Sequence, residues 1–334
     1  MRFTGKAVIL RRAIKLLAIA LALFGVLAAY YYAVYARPVG SGPAGPEVSA
    51  EPFAKVWTTR KVLLLGLGDS VTAGFGVAPP DAYFNRLVKN PPDEFDDMRG
   101  ICLSAVLPRL AVKNLAVSGS TSLMHVDAIR DFLEKQSSDV FGLVVMTTGG
   151  NDLIHSYGRQ SPREGAMYGA TPEQAQPWIE NFTKRLDEMV RLIEARFPGG
   201  CMIFLADIYD PSDGVGDPAA AYLPAWSDCL AIHGAYNEAI RRTAKIHRSV
   251  HLVPMHAEFL GHGVHCTQPW NQYYRAGDPH YWYACNLEDP NVRGYDAIRR
   301  LFLIEIAKQA DVWRATAPAA KPRAKQPRTP GATP

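Results

Sequence analysis

Three polar groups in the sequence are spaced for acyl chemistry. GLGDSVTAGFG (66–76) overlaps the end of a short apolar run, KVLLLGLG (61–68), so Ser70 falls at a sharp strand-to-helix turn between Gly68 and Gly74. Backbone N–H groups and the dipole at a helix N-terminus favour developing negative charge. NLAVSGSTS (114–122) brings the backbone of Gly119 to the end of a second apolar run, and TTGGNDL (147–153) brings the Asn151 carboxamide to the end of a third. A hydroxyl nucleophile flanked by a backbone N–H and a carboxamide donor suits attack on an acyl carbonyl and capture of the resulting oxyanion. Taken singly, each has a plainer role: Ser70 as an N-cap, Gly119 as a tight-turn residue, Asn151 as a cap. Nucleotide binding fails on detail, since the dinucleotide fingerprint needs glycine where Val71 stands and the Gly-Lys-Ser/Thr of a P-loop is absent.

Continuous apolar runs must position these groups. Besides 61–68, they are AVKNLAVSG (111–119), VFGLVVMTTGG (140–150), GCMIFLADIYD (200–210) and SVHLVPMHAEF (249–259), as expected of buried parallel strands. Trp178, Phe182, Leu186, Met189, Val190, Ile193 and Phe197 recur at helical spacing between them, and 236–246 and 295–310 also read as helices. Strands alternating with helices give an open α/β sheet with right-handed crossovers, whose ligands bind beyond the carboxyl ends of the strands.

With these motifs in this order, the chain resembles the SGNH/GDSL hydrolase family. The matching blocks are GDSVTAG (68–74), NLAVSGSTS (114–122), GGND (149–152) and DPNVRGY (289–295), which together cover essentially the whole folded part. The resemblance implies a flavodoxin-like three-layer sandwich, a five-stranded parallel sheet with helices on both faces. It also implies hydrolysis of an acyl-ester small molecule, lipid or acylated glycan through a serine nucleophile. Its oxyanion hole would fall on the Ser70 N–H, the Gly119 N–H and the Asn151 side chain. The departure is specific: the family's last block runs Asp-x-x-His-Pro-Asn-x-x-Gly, and here Asn286 and Asp289 stand at the Asp and His positions.

Three readings follow from that departure. Asp289 is itself the base, although a carboxylate's ordinary pKa of about 3.9 is poorly matched to neutral pH. Alternatively, a histidine from another loop takes over, with Asp289 holding its ring. His265 in HAEFLGHGVHCTQ (256–268) is the first candidate and His280 in DPHYWY (278–283) the second. In the third reading the domain binds acyl or glycan ligands with catalysis lost. Acyl transfer through the same acyl-enzyme remains open beside hydrolysis. No metal or cofactor is expected: His262, His265 and Cys266 are too sparse for zinc, and DPSDGVGD (210–217) lacks a bidentate Glu. Trp226, Trp270, Tyr273, Tyr274, Trp282 and Tyr283 either line a pocket or pack together.

The 334 residues are 48% hydrophobic and 20% charged, a globular composition, and a net charge of +4 concentrated at the two ends gives no case for nucleic acid. Arg2, Lys6, Arg11, Arg12 and Lys15 (1–15) precede an uncharged run from Leu16 to Ala36, long enough to span a bilayer core. The positive-inside rule then leaves 1–15 in the cytoplasm and exports the rest, as a signal anchor or, with cleavage near Ala36, as a secreted chain. Segment 37–54, rich in Pro and Gly, reads as a tether. Residues 55–314 form the domain, and 315–334 read as a disordered tail. Export permits disulfides, and Cys266 and Cys285 bracket the last loop as a plausible pair.

Overall fold

The computed structural model describes residues 4–34 and 36–315. The apolar runs form β1 (Lys61–Leu67), β2 (Leu110–Asn114), β3 (Val140–Met146), β4 (Cys201–Ala206) and β5 (Val250–Val253). All pair in parallel, in the order β2-β1-β3-β4-β5. The pleat divides their side chains between two cores. Leu63, Leu65, Val144, Met146, Ile203 and Leu205 face the helices Ser122–Phe132, Pro172–Arg196 and Cys229–Ile246. Val62, Leu64, Leu143, Val145 and Phe204 face the helices Val292–Ala307 and Tyr83–Val88. The result is a three-layer α/β sandwich, and each fully buried Leu or Phe adds about 1.5–3 kcal/mol.

Chain order reverses between β1 and β3, the crevice where such sheets bind ligands. Ser70 follows β1 and Asn151 follows β3, and the strands' last residues, Leu67 and Met146, are register partners. The strands are shorter than the apolar runs. β5 stops at Val253 because Pro254 has no N–H for the ladder, and Met255–Phe259 turns into a helix instead.

Segment 37–54, expected as a loose tether, is packed on the domain. Pro38 O accepts from Tyr281 N at 2.8 Å, the Arg293 guanidinium donates to Ser41 O and Pro43 O, and Ala44 N donates to Asp296 Oδ2 at 3.0 Å. Gly45 has φ +88°, and a Cβ there would meet Ala297 Cα at 2.7 Å. Its glycine therefore serves close approach to the helix Val292–Ala307 rather than flexibility. All five cysteines are free, so the expected Cys266–Cys285 bridge is not formed; Cys266 is buried and Cys285 exposed. The N-terminal helix Thr4–Val34 carries an apolar stretch, Leu10–Tyr31, of mean hydropathy 2.2 that is not covered by the domain. From residue 316 on, the expected tail lies outside the described residues, as do residues 1–3.

Candidate active site

The first turn is built so that only its own sequence fits. Gly68 takes φ +127°, and a Cβ there would meet Thr147 O at 2.1 Å. Asp69 caps the helix Ser70–Ala73 by accepting from Val71 N at 3.2 Å, and its carboxylate also accepts from Thr147 Oγ1 at 2.7 Å. Ser70 is thus the first helical residue, whose N–H has no intrahelical acceptor. Burial pushes the Asp69 carboxyl up to about 6 against those two bonds, and the charge of Asp289 adds to the rise.

The loop after β2 is tied to this turn. Val117 N and Ser120 Oγ both donate to Gly68 O, at 2.9 and 3.0 Å, and Asn151 Nδ2 donates to Ser120 O at 2.9 Å. His125 braces the loop from below, its ring bonded to Ser120 Oγ at 2.7 Å and Thr148 Oγ1 at 2.8 Å. Gly119 sits on the rim with φ +80°, and its N–H meets no acceptor among the described residues. Asn151 and Ser70 line one cavity, and the Asn151 carboxamide has a second N–H beyond the one given to Ser120. The Gly119 N–H and the second Asn151 N–H are thus without acceptors among the described residues, in loops that pack on the Ser70 turn.

The last loop brings its acid to the same edge without a histidine. Asn286 Nδ2 donates to Asp289 Oδ2 at 2.7 Å, Asp289 O accepts from Ala284 N, and Asn291 caps the following helix. Asp289 is buried, and its Oδ1 has no hydrogen-bond partner among the described residues. Tyr295 OH donates to Phe75 O at 2.9 Å, joining this helix to the Ser70 turn.

His265 does not meet Asp289. Its Nε2 bonds the Asp217 carboxylate at 2.9 and 3.0 Å, because Asp213 accepts from the N–H groups of Gly261, Gly263 and His265 and holds that loop against residues 210–217. His280 is bonded to Asp278, and His262 stacks on Trp282 and bonds His280 O. No histidine ring hydrogen-bonds to Ser70 or Asp289 among the described residues. The one imidazole in the cavity wall is His233, whose Nε2 is engaged by Ile208 O at 2.9 Å and whose pKa burial lowers.

Glu288 lines the cavity beside Ser70 and Asn151, and sequence reading missed it. Burial, and then the adjacent Asp289 charge, push its carboxyl up to about 7. Tyr209 OH donates to Glu288 O and fixes the backbone there. Its signal in the sequence is a second carboxylate beside Asp289, at a position outside the family's motif. The rest of the wall is mainly apolar: Leu153, Ile154, Ile208, Leu223, Trp226 and Val264 are among its residues. Its ionisable acids are Asp69, Asp207, Asp210, Asp217 and Glu288, and among the described residues no Lys or Arg lines it. Of the aromatics singled out in sequence only Trp226 lines it; Trp282 and Tyr283 are buried in the core.

The model of the GDSL-like lipase/acylhydrolase family matches residues 67–297. Among solved structures, an acetylxylan esterase from Geobacillus stearothermophilus aligns at 18% identity and TM-score 0.45, covering 75% of this chain and 95% of that one. A member of the lipolytic G-D-S-L family from Veillonella parvula aligns at 13% identity and TM-score 0.44, covering 72% and 95%. An alpha/beta hydrolase enzyme from the metagenome of Lake Arreo, Spain, aligns at 18% and 0.44, covering 77% and 99%. No curated protein matches the chain.

Proposed function

The chain belongs to the GDSL-like lipase/acylhydrolase family, and from that premise we propose that it is a membrane-anchored serine ester hydrolase in which Glu288 replaces the usual histidine. The observation that carries this reading is that Ser70, Asn151 and Glu288 line one cavity at the switch point of the sheet. Ser70 Oγ attacks the ester carbonyl as Glu288 accepts its proton. The N–H groups of Ser70 and Gly119 and the free N–H of Asn151 receive the oxyanion. Glu288 returns the proton to the leaving alkoxide; in the second half it takes a proton from the water that attacks the acyl-enzyme and returns it to Ser70 Oγ as the carboxylic acid leaves. A carboxyl raised to about 7 suits both halves of this cycle, since a base poised near the working pH is the most effective. Asp289 acts on Glu288 through its charge rather than on a ring. His265 is assigned a supporting role through Asp217, which lines the same cavity.

The substrate is an ester with an uncharged acyl group. Apolar walls receive the chain, and an all-acidic set of charged lining residues repels a carboxylate. Residues Leu10–Tyr31 anchor the protein in a membrane, with the domain on the side opposite the basic N-terminus. The experiment is hydrolysis of 4-nitrophenyl hexanoate and of its analogue with a terminal carboxylate by wild type and Ser70→Ala. Turnover of the neutral ester alone, lost in Ser70→Ala, is expected. Equal turnover of both esters overturns the substrate class, and turnover that survives Ser70→Ala overturns the nucleophile.

A further inference from the structure

Resting on that esterase reading, we propose that the cavity mouth lies on the bilayer surface and that the substrate is a membrane-resident ester entering from the lipid side. The argument begins where the apolar helix ends. Ala36 N donates to Tyr31 O at 3.0 Å, Ala36 O accepts from Thr267 Oγ1 at 3.4 Å, and the Arg37 guanidinium donates to Ala220 O at 2.6 Å. Just beyond the apolar helix, Ala36 and Arg37 are thus bonded to the domain. The loop that Arg37 grips is the cavity's own wall, since Asp217, Pro218, Ala221 and Leu223 line it.

Further bonds hold the attachment. Arg293 donates to Ser41 O and Pro43 O while forming a bidentate pair with Asp278, and Asp296 accepts from Ala44 N. The helix Val292–Ala307, which follows the Asp289 loop, therefore also fixes the strap behind the membrane helix.

Large apolar side chains are left exposed around the same loops. Tyr222, 79% exposed, stands between the lining residues Ala221 and Leu223. Trp270, 62% exposed, packs against the His265 ring whose partner Asp217 lines the cavity. Val39 on the strap and Tyr273 against Gly214 are also exposed. Aromatic side chains of this kind favour the membrane interface. Val39 puts part of this exposed surface on the strap within a few residues of the end of the membrane helix, which points to its occupant: the lipid into which that helix inserts. An ester presented there reaches Ser70 without leaving the bilayer surface.

The test uses the full chain in phosphatidylcholine vesicles, with plain or brominated acyl chains. Tryptophan emission of wild type should be quenched by the brominated lipid, and Trp270→Phe should remove the quenched component. Quenching that is absent, or unchanged in Trp270→Phe, overturns the proposal. In the second arm, Tyr222→Asp/Trp270→Asp should lower kcat/KM by about tenfold on a long-chain ester embedded in the vesicle, through weakened interfacial contact, and leave soluble 4-nitrophenyl acetate unchanged. A parallel fall on both esters, or on neither, overturns it. If wild type hydrolyses neither ester, the esterase reading fails, and the quenching arm alone then decides the membrane contact.

Discussion

Asn286 donates to Asp289 at 2.7 Å, a contact between the two residues that stand where the resemblance puts an acid and a histidine. Neither position supplies an imidazole, and Asp289 Oδ1 is left buried without a partner among the described residues. An unpaired buried oxygen is costly, and its charge is felt nearby, raising both Asp69 and Glu288.

Restoring the family pair should therefore make Glu288 dispensable. Glu288→Gln is expected to lower kcat/KM by about 10²–10⁴-fold, the usual contribution of a general base. Adding Asn286→Asp and Asp289→His in that background should recover much of the loss, with an acidic limb near the ordinary histidine value of about 6.5. Steady-state kinetics of the three proteins against pH check this.

Asn151→Ala removes one of the proposed oxyanion donors and should reduce kcat by about 10²–10³-fold with little change in KM. The same change frees Ser120 O, so thermal unfolding of the variant should accompany the kinetics.

Much of this was legible in the sequence. The five apolar runs form the five strands, and Ser70, Gly119 and Asn151 fall where the chain passes from strand to helix, a placement that local pattern alone carries. The failures lie where long-range contacts decide. His265 is directed by three backbone bonds to Asp213, some fifty residues earlier in the chain, a contact no local pattern carries. The strap 37–54 has a linker's composition because glycine serves both flexibility and close packing, and only the tertiary contact with Ala297 distinguishes them.

His125 should make stability pH-dependent. Burial lowers its pKa to about 4, so between pH 6.5 and 4 the unfolded chain binds the proton that the folded chain refuses. Its contribution is complete above 6.5 and is lost as pH falls through that window, with a slope of up to about 1.4 kcal/mol per pH unit. His256 and His262, lowered to about 4 by burial, act in the same direction. Asp69, Asp207 and Asp213, raised to about 6 by burial, act in the opposite one. The difference between wild type and His125→Gln isolates the one residue: denaturation midpoints should converge as pH falls from 6.5 to 4. A constant gap would mean the ring is not held neutral.

The central claim is that Ser70 is activated by a carboxylate from the last loop. The most direct measurement is the rate at which a fluorophosphonate labels Ser70, followed by peptide mass across pH 5–9 in wild type and Glu288→Gln. The account predicts a single adduct on the peptide containing Ser70, with a wild-type rate that rises through about pH 7 as Glu288 loses its proton. In Glu288→Gln labelling should be slow and without that step. No adduct at Ser70, or a wild-type profile retained in Glu288→Gln, would contradict it.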